Sequence, residues 1–246
     1  MTRAISVLLV VTAATRGQSF EVASVRPHVQ ASGAAYSGVG LRVSGSTLTA
    51  ENNSLSNLIT YAYDIKDYQV LGLPSWAESD RYDISAKAEG AGELTRDLAR
   101  PMMQALLADR FQLKVHHGTK EMPVYALVVA KSGPKFKEGA PDAQSILRLG
   151  SAGKGVVMTV TKGSMAQLAN QFSNRNGVDR PVLDKTGLTG GYDYKLEWGD
   201  NGAVNADADV VSIFTAIQDQ LGLKLEKTTA LIEVLIVDSA AKPSEN

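Results

Sequence analysis

The hydrophobic positions along this chain change period several times, and each change marks an element. Residues 19–27 (SFEVASVRP) set Phe20, Val22 and Val25 among polar neighbours, the near-alternation of a strand with one buried face. Residues 30–40 are small and polar, a loop, and 41–52 read as a hairpin turned at Ser44-Gly45-Ser46. From Leu55 the period lengthens. Leu55, Leu58, Ile59, Ala62 and Tyr63 fall at helical spacing, and Ser54 stands in front of them as the N-cap. Strands follow at 68–71 and 82–88, split by Pro74-Ser75-Trp76. A second helix over about 93–109 lines up Leu98, Met102, Met103, Leu106 and Leu107, with Pro101 placed to kink it. Strands at 111–117 and 123–130 come next.

Glycine and proline then punctuate 131–154, whose central part, 136–154, reads as a linker between lobes at 19–135 and 155–246. Beyond it the order starts again. A strand at 156–161 is followed by Ser164 and a helix carrying Met165, Leu168, Ala169 and Phe172. Strands at 181–183 and 192–198 follow, then a Gly/Asn/Asp-rich loop at 199–209, a helix over about 210–220, and strands at 223–226 and 232–238. One offset relates the two runs. Ser54 and Ser164 are 110 positions apart, as are Leu58 and Leu168, Tyr82-Asp83 and Tyr192-Asp193, and Phe111-Gln112-Leu113-Lys114 and Leu221-Gly222-Leu223-Lys224. The pattern predicts an α+β protein of two related lobes from an internal duplication. Each lobe is a mostly antiparallel sheet with two helices on one face.

Charge and composition narrow the function classes. Lys plus Arg number 25 against 26 Asp plus Glu, so the balance offers no overall electrostatic footprint for nucleic acid. There is no cysteine, which excludes disulfides, zinc-thiolate and iron–sulfur sites, thiol catalysis and a lipoprotein anchor. Arg3 precedes an uncharged apolar run, Ala4 to Ala14, that ends in small residues. That is the layout of a signal peptide covering about residues 1–18. The run is too short to span a bilayer, which takes ~20 apolar residues. The expectation is a secreted or periplasmic product with no stable membrane insertion.

The ordered motifs along the chain resemble a known family. They run from Phe20-Glu21-Val22-Ala23-Ser24-Val25-Arg26-Pro27 through Asn53-Ser54-Leu55, Tyr68-Gln69-Val70, Asp80-Arg81-Tyr82-Asp83-Ile84 and Leu106-Leu107-Ala108-Asp109-Arg110-Phe111. They continue with Pro123-Val124-Tyr125-Ala126-Leu127, Arg180-Pro181-Val182, Asp184-Lys185-Thr186-Gly187-Leu188-Thr189-Gly190 and Gln220-Leu221-Gly222-Leu223-Lys224. The set resembles the soil-associated secreted proteins, a bacterial domain of unknown function expanded in Acidobacteria. Asp179 stands where that family tends to have Gly before Arg-Pro. The resemblance implies export and a two-part α+β body, and it implies no reaction. The first strand–helix–strand stretch also resembles the small βαβ modules of secretins and TonB-dependent receptors, which bind other proteins.

Asp184-Lys185-Thr186-Gly187 is similar to the phosphorylated-aspartate motif of P-type ATPases but lacks one residue of it, and reads as a turn. Ser132-x-x-Lys135 with Lys185-Thr186-Gly187 matches penicillin-recognising enzymes in letters only, because Gly133-Pro134 prevents the helix that the serine and lysine must share. His116 and His117 point to opposite faces of a strand and so cannot easily share a metal. No Gly-x-Ser-x-Gly elbow and no phosphate-cradling glycine pattern occurs. What remains is binding. Tyr68, Trp76, Arg81 and Arg180 are the candidate ligand residues, in a cleft between the copies, for an unidentified protein, peptide or glycan. No metal, cofactor or nucleic acid is expected. The rival reading is an envelope or extracellular hydrolase working through paired aspartates among Asp83, Asp184 and Asp193.

Overall fold

The computed structural model describes residues 19–29, 39–89, 92–152, 155–173, 177–199 and 211–243. The region expected as a signal peptide and most of the 199–209 loop lie outside them. The fold is α+β. Its contacts divide the chain into two units. The first comprises the described residues up to Thr119 and those from Glu233 onward; the second is Lys120–Ile232.

In the first unit β1 (Phe20–Pro27), β2 (Gly40–Ser44), β3 (Thr47–Asn53) and β5 (Tyr82–Ala88) form an antiparallel sheet in the order β1-β5-β3-β2. The short β4 (Val70–Leu71) lies parallel to β12 (Leu223–Ser239), with Val70 opposite Leu235. Two helices cover the core. Ser54 opens α1 (Leu55–Tyr63) by accepting from the Asn57 N–H at 3.1 Å, and Leu55, Leu58, Ile59 and Ala62 are buried as their spacing predicts. Thr95 caps α3 (Arg96–Arg110), and Pro101 sits within that helix without ending it. Met102, Met103, Leu106 and Leu107 face inward, but Leu98 is 41% exposed and its place is taken by Ala99. Phe111, fully buried, meets the Tyr82 ring edge-on at 5.1 Å.

The second unit repeats this order. β8 (Ile146–Ala152), β9 (Gly155–Gly163) and β11 (Tyr192–Gly199) pair antiparallel with the two-residue β7 (Lys137–Glu138), in the order β7-β11-β9-β8. Here β10 (Val182–Asp184) lies parallel to β6 (Lys114–Val129), with Val182 opposite Tyr125. Ser164 caps α4 (Met165–Phe172) with a full capping box through Gln167, and Ser212 caps α5 (Ile213–Leu221). The helix end at Gly222 requires glycine twice over. Its φ is +65°, and a Cβ there would sit 1.9 Å from the Gly133 carbonyl oxygen.

Several expectations give way, each for a local reason. Residues 136–154 hold β7 and β8, because Ile146 to Ala152 find a complete antiparallel partner in β9. Only Val70–Leu71 of 68–71 is strand, since Asp67–Gln69 coils into a single 3-10 turn. Trp76–Ser79 forms a short helix, α2, where only a break was expected. The strands read at 111–117 and 123–130 are one strand, β6, and those at 223–226 and 232–238 are β12. No residue forces a break in the polar middle of either. Gly118 even allows β12 to come near, since a Cβ on it would lie 2.9 Å from Ile236 Cδ1. In β1 the pairing slips between Phe20 and Val22, which turns Val22 outward, 64% exposed, and leaves Ala23 and Val25 facing the core.

Candidate functional site

The bulge at the end of β3 is the starting point. Pairing between β3 and β5 is irregular between Ala50 and Asn53, and Asn52 takes a left-handed conformation, φ +55°. That turns its backbone N–H toward the next strand, where it donates to Asp83 Oδ1 at 2.9 Å. Asn52 is buried, so this bond satisfies a donor that would otherwise cost about 1–3 kcal/mol. His28, just past the end of β1, adds a second clasp. Its Nδ1 lies 2.9 Å and 3.0 Å from the two Asp83 oxygens, and its backbone N–H donates to the Arg81 carbonyl at 2.8 Å.

These residues edge an open concavity of about 700 Å³ on the polar side of the β1-β5-β3 strands. Register explains its floor. Ser24 lies opposite Ser85 and Ser85 opposite Thr49, which sets three hydroxyls in a row across three strands. The next row places Arg26 opposite Asp83, with Glu51 beyond at the bulge. Asp83 is already engaged by Asn52 and His28. Arg26 and Glu51 are exposed and form no ion pair with the described residues. Pro27 and Val29 form an apolar lip, with Val29 82% exposed.

The residues expected to bind ligand are dispersed. Tyr68 sits half-buried on the 3-10 turn, and burial raises its phenol pKa. Trp76, on α2, lies under the Lys242 ammonium, 5.8 Å from the ring centre. The same ammonium reaches Asp80 at 2.7 Å and holds that carboxyl below its ordinary range. Arg81 contributes its carbonyl to His28. Arg180 belongs to the second unit. It grips Asp179 through two bonds of 3.0 and 2.6 Å and lies over the Tyr125 ring at 4.9 Å. The guanidinium beside it pulls the Asp179 carboxyl down to about 2. Burial pushes the Tyr194 phenol up.

The three candidate hydrolytic aspartates each hold backbone. Asp83 receives Asn52; Asp193 receives the Lys162 N–H at 2.8 Å; Asp184 receives the N–H and hydroxyl of Thr186 at 2.9 and 2.8 Å and closes the turn that follows β10. His116 pairs with Asp238 at 2.9 Å on an exposed stretch. Among the described residues no group of three His, Cys, Asp or Glu side chains is arranged to hold a metal. No described helix is long and apolar enough to cross a membrane.

Sequence reasoning missed Ser24, Arg26, His28, Thr49, Glu51 and Ser85. All but His28, just past β1, are ordinary outward strand positions, and only the strand register gathers them. The charged residues in SVRPH, directly after the alternation of β1, were the one visible signal.

Fold and site together define a two-unit α+β protein in which an aspartate-held bulge shapes each antiparallel sheet. The chain belongs to the family described as Protein of unknown function (DUF3738), whose model matches residues 56–240. No curated protein and no solved structure matches it.

Proposed function

We propose that this is an exported binding protein of the cell envelope, acting without turnover through the concavity on the β1-β5-β3 strands. One observation carries the reading. Among the described residues Arg26 and Glu51 have no ion-pair partner, and they stand beside a row of hydroxyls in a depression of about 700 Å³, a size in the range of small-ligand sites. The hydrolase reading is weaker, since Asp83, Asp184 and Asp193 each accept a backbone N–H and so serve a bulge or a turn. Export rests on the Arg3-led apolar run alone. Its place among soil-associated secreted proteins rests on the family resemblance.

The test is a heteronuclear NMR titration of the full chain with small peptides and oligosaccharides. Binding at the concavity shifts the amides of Ser24, Arg26, His28, Glu51 and Ser85 together and leaves the probe chemically unchanged after prolonged incubation. Shifts confined to other regions, or a cleaved probe, overturn it.

The two units also support an internal duplication as the origin of the fold. Apart from the 3-10 turn at Asp67–Gln69 and α2, which no described element of the second unit matches, the element order β2-β3-α1-β4-β5-α3-β6 recurs as β8-β9-α4-β10-β11-α5-β12. The offset of 110 reappears in backbone detail, as Asn52 and Lys162 both take left-handed φ (+55° and +49°) and both donate to an aspartate. An experimental structure in which 40–130 superposes on 150–240 with every helix and strand in step is the expected result. A break in that constant offset argues for coincidence.

A further inference from the structure

We infer that the concavity takes an extended zwitterion, a peptide of about three residues with both termini free. The inference rests on the binding reading above and assigns its ligand class. Arg26 on β1 and Glu51 on β3, neither in an ion pair with a described residue, sit on different strands with β5 between them. Adjacent strands lie ~4.8 Å apart, so the backbones that carry the two charges are about 10 Å apart. A fully extended peptide covers at most ~3.3–3.6 Å per residue, so three residues span the same distance. Asp83 lies between them in the same row and is engaged by the Asn52 N–H and His28, so Glu51 is the carboxylate of the row that carries no such bonds.

Beside the row that holds the two charges, the floor carries Ser24, Ser85 and Thr49, side by side by register. A hydroxyl both donates and accepts, which suits the alternating N–H and C=O groups of a peptide backbone. Among the described lining residues there is no Trp, Tyr or Phe, the large rings on which a neutral sugar stacks. Val29 at the lip offers a peptide side chain an apolar contact. Both charges are exposed, so each end contributes modestly: loss of one exposed ion pair, up to ~1 kcal/mol, is about a threefold to fivefold loss of affinity.

The experiment uses the full isotope-labelled chain and four probes: trialanine, its N-acetyl form, its C-terminal amide, and a neutral trisaccharide. Trialanine is expected to shift the amides around Ser24, Arg26, Thr49, Glu51 and Ser85, and each blocked form to bind about threefold to fivefold more weakly. The variants fix the polarity. Arg26→Gln should weaken trialanine and leave the amide form unchanged, while Glu51→Gln should weaken trialanine and leave the N-acetyl form unchanged. Both positions are exposed, so both variants should melt with the parent chain. Equal binding of free and blocked peptides, or binding of the trisaccharide alone, overturns the zwitterion and leaves the concavity as a binding site. Absence of shifts with all four probes overturns both.

Discussion

Asp83 and Asp193 do the same mechanical work in two surroundings. Each accepts a backbone N–H from a residue with positive φ at a strand end, and that bond shapes the bulge. Around Asp83 the neighbouring strand is β1, eight residues long, which brings Arg26 alongside and leads into His28, and the face stays open. Around Asp193 the neighbour is β7, two residues long, followed by Gly139. A Cβ on Gly139 would meet Asp193 Oδ1 and Lys162 at 3.0 Å, so the chain closes tightly over the bulge, and the Lys162 ammonium binds the Pro141 carbonyl. The lesson is that the bulge is scaffold and the adjacent strand decides whether it also becomes a site.

The comparison yields a graded set of expectations. The largest effects fall in the two cores, where Phe111 and Phe172 are both fully buried. Phe111→Ala and Phe172→Ala should each cost about 3–5 kcal/mol in denaturant unfolding. If only one of them lowers stability, the units do not share one cooperative transition. Next come the bulges. Asp83→Ala and Asp193→Ala each orphan a backbone donor and should cost about 1–3 kcal/mol. Asp83→Ala also removes the carboxylate that His28 Nδ1 contacts, so it alone should alter the His28 ring signals by NMR. Equal behaviour of the two variants at His28 would break the distinction drawn between the bulges.

Smaller again are the matching N-caps. Ser54→Ala and Ser164→Ala should each cost ~1 kcal/mol, with amide exchange quickening in the first turns of α1 and α4. Ser164 has the fuller box through Gln167, so Gln167→Ala sharpens the contrast. The least effect is at Asp179. Its folded carboxyl is depressed to about 2 by Arg180, below the ~3.9 of an unfolded aspartate. A depressed pKa contributes stability above the unfolded value and loses it as pH falls through the folded one, so the Asp179–Arg180 contribution should fade between about pH 4 and pH 2. An NMR titration of Asp179 with a midpoint near 4 would remove it.

Legibility in the sequence followed the range of the interaction. The helices were readable because Leu55, Leu58, Ile59 and Ala62, or Met165, Leu168, Ala169 and Phe172, answer to a period set within one element, and their serine caps lie next to them. The offset of 110 was readable because it recurs in residue identity. The concavity was not. His28 meets Asp83 across 55 positions, and Arg26 faces that carboxylate only because pairing slips between Phe20 and Val22. A slip of one residue exchanges the faces of a strand, and nothing in FEVASVRP announces it. The linker reading failed for a related reason. Ile146 to Ala152 sit among glycines and prolines and are mostly exposed, yet a hairpin edge needs only a partner, which β9 supplies.

The pairing of Val70 with Leu235 sets the order in which the chain can mature during synthesis. The first unit contains α1, α3 and a four-stranded sheet that are translated early, but Val70 finds its partner Leu235 only 165 residues later. Contacts so distant in sequence form slowly. The first unit therefore stays incompletely paired until β12 has emerged from the ribosome.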